Sequence, residues 1–143
     1  MINLKDDKLF KKVSYINGKW HLSKAELAVH NPATEELLAY VSNAGVEETR
    51  LAVKSAKNAF MLWSKKSASE RATLLRKWFD LMMQHQDDLG RILTLEQGKP
   101  YSEAKGEIAY GASFIEWFAE EGKRVYGDTI PSPSSDKRLI VIK

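Results

Sequence analysis

Leu95–Pro131, LEQGKPYSEAKGEIAYGASFIEWFAEEGKRVYGDTIP, is the stretch on which the rest of the chain depends. It opens with a helix stop. Gly98 can take the left-handed conformation past a helix end, and Pro100 forbids continuation. A new helix is predicted from about Ser102, running some six turns before Gly127 ends it. Ile108, Ala112, Ile115, Ala119 and Gly122 recur at steps of four and three, which places them on one helical face. Tyr110, Phe114, Trp117 and Phe118 repeat that spacing on another face. A surface helix carries one apolar stripe, so a helix with two such faces requires protein on two sides.

Working outward, the preceding residues read as a helical series. Ser67-Ala68-Ser69-Glu70 is a capping-box pattern, in which serine and glutamate each satisfy free backbone donors. It introduces a stripe of Leu74, Leu75, Trp78, Leu81 and Met82. Asp87 or Asp88 is expected to cap a further helix through Leu89, Ile92, Leu93 and Leu95. Upstream, Gly45 precedes a stripe of Ala52, Ala56, Ala59, Phe60 and Trp63, with Glu47 and Glu48 in the favourable first turn. Further back, Asn17-Gly18 between Tyr15-Ile16 and Lys19-Trp20 is a strong hairpin signal. A second strand pair is predicted from Leu27–Val29 and Leu37–Val41, with the turn at Pro32. Residues 1–12 form a charged arm with Leu4, Leu9 and Phe10 as docking contacts.

Downstream, Ser132-Pro133-Ser134-Ser135 is a loop, and Arg138–Ile142 reads as a strand with consecutive aliphatic residues and no neighbour to pair with. The expected class is therefore an α-rich α+β fragment. N-terminal β hairpins lead into a helical bundle, and a ribbon strand ends the chain. The segments are an arm at 1–12, a helical part at 13–131 and the start of a ribbon at 132–143.

Composition bounds the function. A chain of 143 residues with 43% hydrophobic and 29% charged residues is long enough to enclose a core. The net charge of +3 is modest, and Lys11-Lys12 and Lys65-Lys66 join no continuous basic stripe, so no nucleic-acid partner is expected. No membrane span and no signal peptide are apparent, so a cytoplasmic location is expected. There is no cysteine, and hence no disulfide, thiolate metal site or cysteine nucleophile. The glycines never form G-x-G-x-x-G or a P-loop.

His21, His30 and His85 lack the spacing of a zinc site and read as surface or capping residues. Asp6-Asp7 and Asp87-Asp88 read as loop and cap residues, and Ser67 and Ser69 as cap residues. Lys99 suits the carbonyl end of the preceding helix. No nucleophile, base and orienting group come together, so no catalytic, cofactor-binding or metal-ligating residue is assigned.

The blocks YINGKW, NPATEE, ERATLLRKWFDLM, LTLEQGKP, GEIAYGASFIEWFAEEGKRVYGDTIP and DKRLIVIK occur in that order. Together they resemble the N-terminal portion of the aldehyde dehydrogenase superfamily, most closely its bacterial NADP-dependent succinate-semialdehyde branch. The resemblance runs from about Leu9 to Lys143. It implies an enzyme with a Rossmann-like cofactor domain, a cysteine-bearing catalytic domain and a β-ribbon arm for oligomerisation. In such an enzyme the helical part packs on the cofactor domain, and the strand at Arg138–Ile142 joins the ribbon. The helix at Ile108–Trp117 borders the substrate tunnel, making Phe114 and Trp117 the expected lining residues.

The family's reaction oxidises an aldehyde through a cysteine thioester with NADP or NAD as hydride acceptor. This sequence holds no cysteine, no cofactor glycines and no general-base glutamate at matching positions. The chain alone is therefore expected to bind no nicotinamide and to be inactive. Two alternatives stand beside this reading: a non-catalytic helical interaction remnant, and another aldehyde dehydrogenase branch. One departure from the family is Glu35 in NPATEE, where glycine is usual. If that turn needs a positive φ, glutamate costs on the order of 1 kcal/mol.

Overall fold

The computed structural model describes residues 3–143. Among them the chain forms four α-helices and six short strands. Strands β1 (Ser14–Ile16) and β2 (Lys19–His21) make the first hairpin, with Tyr15 opposite Trp20. Its turn residues Asn17 and Gly18 have φ of 52° and 74°, the left-handed pair that matches strand twist in a two-residue loop. The Tyr15 and Trp20 rings lie 4.9 Å apart, and the Lys11 ammonium sits 5.1 Å from the Trp20 ring centre.

Strands β3 (Glu26–His30) and β4 (Leu37–Ser42) form the second ribbon, with a bulge between Val29 and His30. Its turn is closed by the Ala33 N–H donating to Asn31 Oδ1 (2.9 Å) and the Glu35 N–H donating to the Asn31 carbonyl (2.7 Å). Glu35 takes φ 61°, so the turn does demand the left-handed region, which a side chain disfavours. Glu35 is exposed, and Glu35→Gly is expected to stabilise the chain by about 0.5–1 kcal/mol. A urea-denaturation midpoint that moves down, or stays put, would rule out strain at this turn.

Helix α1 (Val46–Trp63) starts at Gly45, whose N–H donates to Glu48 Oε2 at 3.0 Å. Helix α2 (Ala68–Gln84) begins with the expected capping box. The Glu70 N–H donates to Ser67 Oγ (3.2 Å), and the Ser67 N–H donates to Glu70 Oε2 (2.8 Å). His85 separates α2 from α3 (Gln86–Gln97), which ends at Gly98 with φ 80°. Pro32 of the β3–β4 turn lies so close to Gly98 that a Cβ there would come within 2.8 Å of its ring. Helix α4 (Tyr101–Glu121) follows Pro100 directly.

α4 packs along both α2 and α3. The contact face is the one read from the sequence, with Ala112 and Ala119 fully buried and Ile108 and Ile115 half-buried, and it extends one turn further to the fully buried Ala104. Arg76 of α2 reaches Glu116 of α4 (2.7 Å), and Asp87 of α3 meets Lys105 of α4 (2.6 Å). Thus α2 lies beside the C-terminal half of α4, and the start of α3 beside its N-terminal half. Gly90 permits this approach, since a Cβ there would come within 2.9 Å of the Lys105 side chain.

Four expectations require correction. First, α4 ends at Glu121 with Gly122 as its cap, not at Gly127. The chain turns through Lys123 and Arg124 because Asp128–Ile130 forms a strand, β5. Gly127 serves a different purpose, since a Cβ there would collide with the Val141 carbonyl. Second, the terminal strand β6 (Leu139–Val141) has a neighbour: it pairs antiparallel with β5, Thr129 opposite Ile140.

Third, the α1 stripe does not join a core. Its alanines Ala52, Ala56 and Ala59 line a shallow groove against the first hairpin, while Phe60 stays 62% exposed and Trp63 is exposed as well. Fourth, neither Asp87 nor Asp88 caps α3, because both lie inside its first turn. Asp88 is buried and instead holds the N-terminal arm, where a short 3-10 turn at Asp7–Leu9 is capped by Asp6. The arm docks through polar groups more than through Leu4, Leu9 and Phe10, which are half-buried.

Length alone also overstated the core. Apart from Ile16, every fully buried apolar residue among the described ones is an alanine. The chain exposes 11011 Å². A compact monomer of 16.2 kDa would expose about 7,500 Å². Most large apolar side chains therefore have no cover within the chain.

Candidate functional site

The second apolar face of α4 is the feature most in need of a partner. Tyr110, Phe114, Trp117 and Phe118 stand on it, turned by roughly a third of a circle from the buried alanines. Trp117 is 63% exposed and Phe114 47%. Tyr110 and Phe114 meet edge to face with ring centres 4.9 Å apart, a favourable arrangement for an aromatic pair.

Phe114, Trp117 and Phe118, together with Ser113, Glu116, Glu120, Glu121 and Arg124, border an open depression of about 710 Å³. Its carboxylates are already paired. Glu116 binds Arg76, Glu120 binds Lys123 (2.7 Å), and Glu121 binds Arg124. The Lys123 ammonium beside Glu120 lowers that carboxyl below its ordinary value. That shift makes Glu120 a poor proton acceptor near neutral pH. What the depression offers is aromatic surface with a charged rim, which can shape a passage or seat another layer.

A second cluster sits at the start of α3. Asp87 accepts from Lys105 Nζ (2.6 Å), Lys5 Nζ (3.0 Å) and the Tyr101 hydroxyl (3.1 Å). The Lys105 hydrogen bond, then those of Lys5 and Tyr101, hold the Asp87 carboxyl far below the carboxylate range. In turn Asp87 raises the Lys105 ammonium above its ordinary value. Acid and base are thus driven away from neutrality in opposite directions, the reverse of a poised proton-transfer pair.

The remaining candidates are dispersed. His21 lies in β2, His30 in β3 and His85 between α2 and α3, and among the described residues no three metal-ligating groups converge. Lys99 is tied to Glu107 on α4. Ser67 is engaged in its cap. Asp6 caps the short turn of the arm by accepting from the Lys8 N–H. No helix of the described chain is long and apolar enough to cross a membrane.

Nicotinamide phosphates are commonly held at open helix N-termini, where backbone N–H groups converge. Each such end here already carries its own carboxylate. Glu47 and Glu48 stand on α1, Glu70 on α2, Asp87 and Asp88 on α3, and Glu103 on α4. The described residues do not fit a dinucleotide.

Sequence reasoning missed Asp88 as a long-range ligand of the arm, because an Asp-Asp pair at a helix start has the same appearance as an ordinary first turn. It also missed β5, whose three residues carry no pattern until β6 is laid beside them.

A sequence model of the aldehyde dehydrogenase family matches residues 20–143. The NADP(+)-dependent succinate-semialdehyde dehydrogenase GabD of Escherichia coli is 57% identical over 99% of this chain. A glutarate-semialdehyde dehydrogenase of Pseudomonas aeruginosa is 54% identical, also over 99%. The chain spans 30% of the length of each of these relatives. The crystal structure of an E. coli NADP-dependent enzyme superposes on 98% of the chain and 30% of its own, with a TM-score of 0.94 and 56% identity.

Proposed function

The chain belongs to the aldehyde dehydrogenase family, and from this premise we propose that its 143 residues are the N-terminal part of an enzyme that oxidises a semialdehyde to a dicarboxylate with NADP or NAD as acceptor. The observation that carries this reading is the uncovered aromatic face of α4, on a chain that exposes 11011 Å². A helix with alanines packed on one side and Phe114, Trp117 and Phe118 open on the other is built to sit between two layers. The rest of such an enzyme supplies the second layer.

The two curated relatives act on succinate semialdehyde and glutarate semialdehyde, by their names. Both substrates are short aldehydes with a carboxylate at the far end, and that shared chemistry is the substrate class we assign. Within this chain the contribution is one of shape. Phe114 and Trp117 line one wall of the route by which the aldehyde reaches the reacting centre. Nucleophile, base and nicotinamide site belong to the remaining part, since the described residues supply none of the three. The exposed β5–β6 ribbon, with Ile140 71% exposed, is the edge through which subunits of the enzyme associate.

The test is a chimera in which these residues replace the matching 30% of the E. coli relative. It is expected to melt cooperatively and to reduce NADP with succinate or glutarate semialdehyde. A chimera that folds yet reduces NADP with neither aldehyde would overturn the assignment.

A further inference from the structure

The N-terminal arm is joined to the helices at a single buried point. The Lys5 N–H donates to both Asp88 carboxylate oxygens (3.0 Å each), and the Asp6 N–H donates to Asp88 Oδ2 (2.9 Å). Asp88 is 2% exposed, the most buried charged group among the described residues. Around it the contacts are peripheral: Arg91 Nη1 donates to the Asn3 carbonyl (2.9 Å), and Lys5 Nζ reaches Asp87 across an exposed gap. At its far end the arm joins the second ribbon, where the Ser42 N–H donates to the Lys12 carbonyl (2.8 Å). Residues 3–12 therefore run between the α3–α4 pair and the β3–β4 ribbon.

We propose that this segment is a strap whose docking is held by one carboxylate, Asp88, and that it opens as a unit of its own when that carboxylate loses its charge. Two backbone donors converging on one buried anion make a strong contact that is lost all at once, because a neutral side chain cannot accept from both with equal strength. The strap itself contains only the short turn at Asp7–Leu9, so nothing internal holds it closed.

The charged groups that face Asp88 are Lys5 and Asp6 from the strap, Asp87 and Arg91 from α3, and, through Asp87, Lys105 and Tyr101 from α4. The Lys5 backbone donor, opposed by burial and aided by Asp6, lowers the Asp88 carboxyl below its ordinary value. A depressed acid contributes stability above its unfolded pKa and loses it as pH falls through the folded one. The strap is thus closed at neutral pH and opens only in acid below the usual carboxylate range.

The test compares Asp88→Asn and Asp87→Asn in the full chain by amide hydrogen exchange at Lys5 and Asp6, with helical circular dichroism and melting as the global readout. Asp88→Asn is expected to speed exchange at both amides by at least about tenfold and to leave the helices and their cooperative melt in place. Asp87→Asn, which removes exposed pairings, changes exchange by less than about threefold. Three results overturn the proposal: unchanged protection in Asp88→Asn, unprotected Lys5 and Asp6 amides in the parent, or global unfolding of the variant. The last would make Asp88 a determinant of the whole fold and not of a separable strap.

Discussion

Ala112→Leu is expected to lower the stability of this chain by about 3 kcal/mol, the upper end of what overpacking commonly costs. Ala112 has no exposed surface and stands on the face where α4 meets α2 and α3. The neighbouring fully buried positions are Ala104 and Ala119, also alanines, with Ile108 and Ile115 half-buried beside them, so the seam is built for small side chains at these positions. The ion pairs Arg76–Glu116 and Asp87–Lys105 further fix the spacing. Three added carbons must therefore push α4 away from its neighbours or force an unfavourable rotamer. Tyr110→Leu on the opposite side, where the ring is 67% exposed and its loss removes only the edge-to-face pair with Phe114, serves as the comparison and should shift the melt by about 1 kcal/mol at most. Equal effects at the two positions would show that the alanine seam is not the tight contact described.

The second large effect concerns the exposed face. In the assembled enzyme, Trp117→Ala and Phe114→Ala are each expected to lower kcat/KM for the semialdehyde by about 10- to 100-fold. Such losses correspond to about 1.5–3 kcal/mol for an aromatic side chain that meets substrate. The effect should fall chiefly on KM, because an aromatic wall binds ground state and transition state alike. The readout separates two uses of the same surface. If the rings line the substrate route, KM rises and the melting temperature barely moves. If they only seat the covering layer, the melting temperature falls and the KM of the surviving enzyme is unchanged. In the latter case Phe114 and Trp117 lose their place as lining residues, while the two-layer reading of α4 stands.

Local signals in this chain were legible wherever the physics was local. Asn17-Gly18 specified the first turn because few residue pairs tolerate two positive φ values in succession. Ser67 and Glu70 specified the start of α2 because their side chains answer backbone donors three residues away. Gly98 and Pro100 specified the break before α4. The face carrying Ile108, Ala112, Ile115 and Ala119 followed from helical period alone, and so did the second face that the chain leaves open. The absence of cysteine was likewise read directly from the letters.

Tertiary structure decided what depends on residues far apart in the chain. Gly127 looked like a helix end, but the passage of Val141 beside it made it a point of close approach, and α4 stopped five residues before it, at Gly122. Leu139–Val141 looked partnerless because its partner, Asp128–Ile130, is too short to carry a period. Asp88 looked like a first-turn acid, and only folding brought it to the amides of Lys5 and Asp6, more than eighty residues away. A hydrophobic stripe records that a face will be covered, but not by which atoms. For α1 the stripe therefore implied a core that this chain does not enclose, because helical period is set within a few residues and burial by everything that packs against them.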